Sequence, residues 1–313
     1  MSVKVSVIIV NFNKYEDTIA CVESIKNSDT IVSYNIILVD NCSSNNSFEQ
    51  LQKITDNKII YLLKSAKNNG YCAGNNIGIK FALENFNSEY IWILNPDTLV
   101  DKDAMQNLYN FAQTKLDLGI LGLRLVYYPD TQFLQGLGGG NFKIQKSGLL
   151  APGTHLYHLY SSDTELPAVV NPDLVIGASM FVPKKVFETC GLMNERFYLY
   201  SDETEFCLRV AKFGFKHYAI SNATVYHKEG WRQNVQKLMA VYYTKRNSLI
   251  MTKNLFPEHL FRNLFFSYCS KSILSYIWNR NWKALRLYFK GINDFKKGID
   301  GKVDLSKWLG DKK

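Results

Sequence analysis

Three features of the sequence predict an α/β fold built on a parallel, doubly wound sheet. Apolar, β-branched runs of strand length alternate with amphipathic segments of helical period over the first hundred residues. The runs are almost continuously apolar, as strands buried on both faces must be. Two of them end in polar residues, and in such sheets ligands sit outside the carboxyl ends of the strands. With 313 residues, 46% hydrophobic and 14% aromatic, the chain has ample material for a core, and disorder of the whole chain is excluded. The 7 Pro and 19 Gly exclude a collagenous or low-complexity chain.

Each element can be justified in order. Val3 to Val10 (VKVSVIIV) is the first strand. Residues 16–27 (EDTIACVESIKN) put Ile19, Val22 and Ile25 on one helical face. Residues 35–41 (NIILVDN) form a second strand and 58–63 (KIIYLL) a third. A helix over 75–86 then leads to a fourth strand, 90–94 (YIWIL), which stops at Asn95-Pro96-Asp97. Asp40 and Asp97, just past strands two and four, are thereby expected at one rim. Residues 127–172 carry Gly136, Gly138, Gly139, Gly140, two histidines and several tyrosines with no clear period, and read as a functional insertion or lid. A strand over 173–182, a helix over 202–213 with an acidic first turn and a strand over 216–227 ending at His227 complete a body spanning 1–230. It divides into halves over 1–100 and 101–230.

Charge divides the chain. Residues 231–313 hold 17 basic against 5 acidic side chains, a net of +12, whereas residues 1–230 hold 20 against 23, a net of −3. From residue 234 the pattern is helical. Over 255–290, Phe256, Phe261, Phe265, Phe266, Tyr268, Tyr276, Trp278, Trp282, Tyr288 and Phe289 are interleaved with Arg262, Lys271, Arg280, Lys283, Arg286 and Lys290. That composition fits a helix lying in a membrane interface, and equally core-packing helices with a solvated basic face. No RNA-recognition or helix-turn-helix signature accompanies the basic excess, so nucleic acid is not the expected partner. No apolar run is long enough to span a bilayer, the opening is not a signal peptide, and 6 scattered cysteines form no CxxC pair, which points to a reducing cytoplasm.

Several side chains suit a particular chemistry. Asp40, directly after a buried strand, can accept hydrogen bonds from a base or ribose, or can simply make a turn. In NNGYCAGNNIGI (68–79), Gly74 and its neighbours allow either close approach of backbone to a ligand or close helix–sheet packing. Asp97, behind a rigid proline, can hold a hard divalent cation whose remaining shell comes from a diphosphate. Among Asp202, Glu203 and Glu205, one can serve as a general base, although the helix dipole alone would favour all three. His227 ends its strand at the same rim.

The order of these segments resembles the family 2 glycosyltransferases, inverting enzymes of the GT-A fold, and among them the bacterial surface-polysaccharide, rhamnosyltransferase-like type. The segments are VSVIIVNFN (5–13), ILVDNCSSN (37–45), NNGYCAGNNIGI (68–79), ILNPDT (93–98), VIGASMFVPKKVF (175–187), FYLYSDETEFCLR (197–209), ATVYHKEG (223–230) and YYTKRN (242–247). The resemblance implies that Asp40 binds the pyrimidine of a UDP- or dTDP-sugar, with Asn11, Gly74, Asn75 and Asn95 around the nucleotide. It implies that Asp97, with His227, holds Mn2+ or Mg2+; Asn95 replaces the first acid of the usual DxD pair, leaving one carboxylate for the cation. Asp202-Glu203 corresponds to the family's acid pair, with Glu203 as base and Asp202 the alternative. Arg246 and Asn247 match a recurrent pair whose role stays open. The implied acceptor is a glycan or polyprenyl-linked hydroxyl at the inner face of the plasma membrane, in capsule or O-antigen synthesis, with homodimerisation through the helical tail left open. A nucleotide-sugar-binding protein without transferase activity is the alternative.

Overall fold

The computed structural model describes residues 3–144, 150–228, 234–259, 261–262 and 273–309. Its first half follows the expected alternation: β1 (Val5–Asn11), α1 (Tyr15–Lys26), β2 (Tyr34–Asp40), α2 (Ser47–Gln52), β3 (Ile60–Lys64), α3 (Tyr71–Phe86) and β4 (Tyr90–Leu94). β1 pairs in parallel with β2 and with β4, and β2 with β3. The apolar runs are buried on both faces: Val5, Val7 and Ile9 face one core cluster, Ile8 the other. The register aligns Asn11 with Asp40, so β1, β2 and β4 present their carboxyl ends side by side.

The second half departs from a parallel sheet. β5 (Thr98–Val100), α4 (Ala104–Ala112), β6 (Leu118–Tyr127), β7 (Leu134–Leu137), β8 (Gly139–Ile144), β9 (Leu150–His155), β10 (Val169–Val170), β11 (Leu174–Val175), β12 (Ser179–Pro183), α5 (Lys184–Cys190), α6 (Asp202–Lys212) and β13 (Lys216–His227) follow. The main sheet runs β10-β13-β6-β12-β4-β1-β2-β3, with β12 antiparallel to β4, β5 antiparallel to β13 and β7 antiparallel to β6. Antiparallel neighbours need no crossover helix, so no strand–helix alternation announces them.

Residues 127–172 are not wholly irregular among the described residues. They contain β7 to β10, and β8 forms a small sheet with β9 and β11. The period is missing because glycines stand where side chains would alternate. Gly138 sits at φ +71, and a Cβ there would lie 2.1 Å from the Ala219 Cβ. The single strand expected over 173–182 is two, β11 and β12, separated by a break at which Ile176 N–H donates to the Gly138 carbonyl (2.8 Å).

The C-terminal region holds α7 (Asn234–Leu255), α8 (Trp282–Lys296) and α9 (Ser306–Leu309). Asn281 caps α8, its side chain accepting from Ala284 N–H (3.1 Å). α7 and α8 approach closely at Gly291, where a Cβ would meet the Tyr242 carbonyl at 3.0 Å. Ile250 and Met251 of α7 pack on Phe197, so this region is docked on the body through its inner face. Its outer face keeps Leu274, Ile277, Trp278, Trp282 and Phe289 exposed, with Trp278 at 88%. The inner face is thus the core-packing one of the two expected, and the outer face carries the exposed aromatics that motivate the other reading; Phe265, Phe266, Tyr268 and Lys271 lie outside the described residues. Among the described residues no helix is long and apolar enough to cross a membrane.

Candidate active site

Pairing brings Asp97 and His227 together. β5 runs antiparallel to the end of β13 with Thr98 opposite His227, and Lys228 N–H donates to the Asp97 carbonyl (2.8 Å). His227 Nε2 then lies 3.3 Å from Asp97 Oδ1. Burial raises the cost of ionising Asp97, but the hydrogen bond and charge of His227, with Lys14, outweigh it and hold the carboxyl below its ordinary range. His227 Nδ1 lies 2.9 Å from Gln135 Oε1. Nδ1 is thus the donor toward Gln135, and a neutral ring turns its Nε2 lone pair onto a carboxylate. Only a proton or a metal ion between the two resolves that contact. Two ligands at about 2.1 Å from an ion and at right angles to it stand about 3 Å apart, close to the observed spacing. Asp97 and His227 therefore fit a divalent cation. Among the described residues no group of three or more His, Cys, Asp or Glu could hold one, which leaves the rest of a shell to other oxygens, water or a ligand.

A cleft of about 460 Å³ lies between His227 and the first turn of α6; Asp97, behind His227, does not line it. Asn95, Gln135 and His227 form part of its wall, and Asp202 and Glu203 another part, with Tyr71, Gly177 and Tyr200 alongside. Asp202 and Glu203 are its only lining carboxylates among the described residues. Asp202 is buried; burial first, and then the Glu203 charge and a hydrogen bond with it, push the Asp202 carboxyl well above the ordinary range. Asp202 therefore keeps its proton and donates it toward half-buried Glu203. Glu205 does not join them. It is buried and paired to Arg209, whose Nε and Nη2 reach it at 2.9 and 3.1 Å.

At the adjoining rim, Asp40 is buried and held by three hydrogen bonds. Oδ1 accepts from Asn11 Nδ2 (2.9 Å) and Ser43 Oγ (2.6 Å), and Oδ2 from Ser43 N–H (3.0 Å). Asn11 itself is fully buried and held by Thr18 Oγ1 (3.0 Å). Gly74 faces the sheet: a Cβ would stand 2.7 Å from Val10 Cγ1. Asn75 is buried, its Nδ2 donating to the Tyr71 carbonyl (3.0 Å) while Oδ1 has no partner. None of Asp40, Asn11, Gly74 and Asn75 lines the cleft, whereas Asn95 does.

The acid-bearing turn is held from α7. Tyr200 and Ser201, at φ 66 and 63, are left-handed, a conformation costing about 1–2 kcal/mol per non-glycine residue. Fully buried Asn247 donates its amide hydrogens to the Leu199 (2.8 Å) and Tyr200 (2.9 Å) carbonyls. Arg246, also fully buried, donates from Nε (3.0 Å) and Nη2 (2.9 Å) to Asn247 Oδ1, which fixes the amide orientation, and lies against the Tyr242 and Tyr243 rings. Gln135 and Tyr71 were not anticipated. Gln135 falls in the glycine-rich stretch, where no period marks it, and Tyr71 preceded the expected start of its helix.

The glycosyl transferase family 2 profile matches residues 6–159. The chain carries a glycosyl transferase family 2 domain. It is 27% identical over 288 residues, 91% of this chain and 85% of the relative, to the low-salt glycan biosynthesis hexosyltransferase Agl10 of Haloferax volcanii. To the dTDP-rhamnosyl transferase RfbF of Shigella flexneri it is 23% identical over 282 residues, 85% of this chain and 87% of that one. Among solved structures, GalNAc-T7 with UDP, GalNAc and Mn2+ superposes with a TM-score of 0.62 at 15% identity, over 80% of this chain. The transferase spans 48% of that longer chain, and the likeness shows the shared GT-A fold.

Proposed function

We propose that this transferase moves a hexosyl or deoxyhexosyl group from a UDP- or dTDP-sugar to a hydroxyl of a glycan or lipid-linked acceptor, with inversion, in surface-polysaccharide synthesis. The observation that carries the reading is the single cleft with Asn95 and His227 in one part of its wall and Asp202 and Glu203 in another. Asp40, oriented by Asn11 and Ser43, and Asn75, with a buried amide oxygen lacking a partner, would contact the nucleotide from the rim beside the cleft. Asp97 and His227 would hold the divalent cation, which when bound neutralises charge developing on the departing diphosphate.

Glu203 is the base. The proton shared from Asp202 keeps one negative charge on the pair and leaves Glu203, the more accessible member, to take the acceptor proton. As that proton moves, the acceptor oxygen bonds to the anomeric carbon, the bond from that carbon to the diphosphate oxygen breaks, and the nucleoside diphosphate leaves. Asp202 and Glu203 are the only lining acids among the described residues; with Asp202 protonated and Glu203 acting as base, no free carboxylate is left as nucleophile, and a single displacement inverts the centre. The exposed Trp278, Trp282 and Phe289, beside Arg280, Lys283 and Arg286, support contact with an anionic membrane surface at the inner face.

A panel of UDP- and dTDP-sugars, screened with Mn2+ by melting shift and donor hydrolysis, tests the reading. One donor is expected to stabilise the protein and be turned over, with Asp97→Ala and Glu203→Gln abolishing turnover. Equal rates in wild type and both variants would sink the catalytic assignment, and donor binding without turnover would leave a nucleotide-sugar-binding protein.

A further inference from the structure

Tyr71 lines the cleft from the first turn of α3. Three hydrogen bonds tie it and the glycine before it to the surrounding segments. Its backbone N–H donates to the Tyr198 carbonyl (3.2 Å), in the approach to Asp202 and Glu203. Its hydroxyl donates to the Gly177 carbonyl (2.7 Å), at the break between β11 and β12. Asn41 Nδ2, immediately after Asp40, donates to the Gly70 carbonyl (3.1 Å). Burial, then the charges of Asp202 and Glu203, push the Tyr71 phenol well above its ordinary range, so the hydroxyl keeps its proton and remains a donor.

The break held by Tyr71 touches both ends of the cleft. A Cβ at Gly177 would stand 3.5 Å from Glu203 Cβ and 3.6 Å from Tyr71 Oη, so the acid and the phenol pack against one bare position. One residue on, the Ala178 carbonyl accepts from Asn95 N–H (3.0 Å), and Asn95-Pro96 leads directly to Asp97. A single hydroxyl therefore holds a short segment that packs on Glu203 and hydrogen-bonds to the loop carrying Asp97. A base must reach the acceptor hydroxyl while that hydroxyl faces an anomeric carbon held through its diphosphate. The spacing of the two ends thus governs the rate, and misplacement by about 1 Å costs on the order of 100-fold.

We infer that Tyr71 is a positioning residue for the transfer: its hydroxyl, acting through the Gly177 backbone, sets the spacing between Glu203 and the Asn95-Pro96-Asp97 loop. The inference rests on the transferase reading and adds to it a residue that works through the cleft wall. Its oxygen is engaged by a main-chain carbonyl, so the role is geometric and leaves donor affinity to the residues at the rim.

Tyr71→Phe, which keeps the ring and removes one oxygen, tests this in the full chain. With the donor that wild type turns over in the presence of Mn2+, kcat should fall by at least about tenfold while KM for the donor stays within about twofold. Ser88→Ala is the control for a merely structural loss. Ser88 Oγ bonds to Ser6 Oγ (2.6 Å) at the amino ends of β1 and β4, away from the cleft, so this variant also gives up one buried hydrogen bond. Its kcat should match wild type. Hydrogen exchange at the Asn95 amide should quicken in folded, ligand-free Tyr71→Phe and not in Ser88→Ala. Unchanged kcat or unchanged Asn95 exchange in Tyr71→Phe, an equal fall of kcat in Ser88→Ala, or a rise in donor KM at constant kcat would overturn the inference. Wild-type turnover with no effect of Tyr71→Phe refutes the positioning role alone; quickened exchange with no donor turned over by wild type refutes the transferase reading alone.

Discussion

Replacing Asn247 separates two functions of one amide. Its Nδ2 restrains the Leu199 and Tyr200 carbonyls, and its Oδ1 receives the Arg246 guanidinium. Asn247→Leu would strand both carbonyls, at about 1–3 kcal/mol each. It would also take the amide acceptor from the buried guanidinium, leaving it Tyr242 Oη at 3.4 Å, for about 1.5–3 kcal/mol more. That total rivals the stability of a whole domain, so the leucine variant is expected not to fold. Asn247→Asp is the informative change. It keeps acceptors for Arg246 and improves them with charge, but removes both donors from the turn. Two buried hydrogen bonds contribute about 1–3 kcal/mol together, against the roughly 2–4 kcal/mol that left-handed Tyr200 and Ser201 cost. Without the donors the turn should relax and displace Glu203. Turnover should fall on the order of 100-fold, as for a base misplaced by about 1 Å, while UDP affinity holds. Hydrogen exchange at the Glu205 amide, which donates to the Ser201 carbonyl at 3.0 Å, should quicken. A folded aspartate variant with unchanged turnover and unchanged exchange would refute the reasoning.

Other outcomes follow from single observations. Asp202 stays protonated in the folded protein at pH values where an unfolded aspartate, with its ordinary pKa of 3.8, has ionised. The native state therefore holds a proton that the unfolded state has lost, and stability falls as pH rises above about 4. Asp202→Asn should remove that slope, so its melting temperature should gain on wild type from pH 4 to 7; parallel curves would count against the buried neutral acid. Gln135→Ala frees the His227 ring and should weaken Mn2+ binding in the presence of UDP by about 10–100-fold, measured calorimetrically, with no change counting against the Asp97–His227 site. Gly70→Ala sets a Cβ 2.1 Å from the Tyr198 carbonyl oxygen at φ +100, and should lower the denaturation midpoint by more than the roughly 1 kcal/mol of an ordinary substitution. Trp278→Ala with Trp282→Ala should reduce sedimentation with anionic vesicles and leave the melting temperature near wild type, since both side chains are exposed.

The first half of the fold was legible because its physics is local. Continuous apolar runs become doubly buried parallel strands, and the expected limits of β1, β2 and β4 lie within two residues of those found. Asp40 and Asp97 could be assigned to one rim from the same alternation. Chemistry written in consecutive residues was equally visible, as in Asn95-Pro96-Asp97 and Asp202-Glu203. Where glycine replaced side-chain alternation, over Gly136 to Gly140, no period existed to read, and β7 and β8 went unseen.

What the chain order determines alone is a family, a parallel nucleotide half and a set of polar side chains suited to holding a diphosphate and taking a proton. Tertiary structure decided which of them meet. His227 touches Asp97 only because β5 returns antiparallel to β13, and Glu205 is withdrawn from the site only because Arg209 neutralises it one helical turn on. The buried Arg246–Asn247 pair has no chemistry legible in one dimension, since its meaning lies in two carbonyls nearly fifty residues earlier. Burial, hydrogen-bond partners and the sharing of a proton are properties of proximity, and distant segments acquire proximity only when the chain packs.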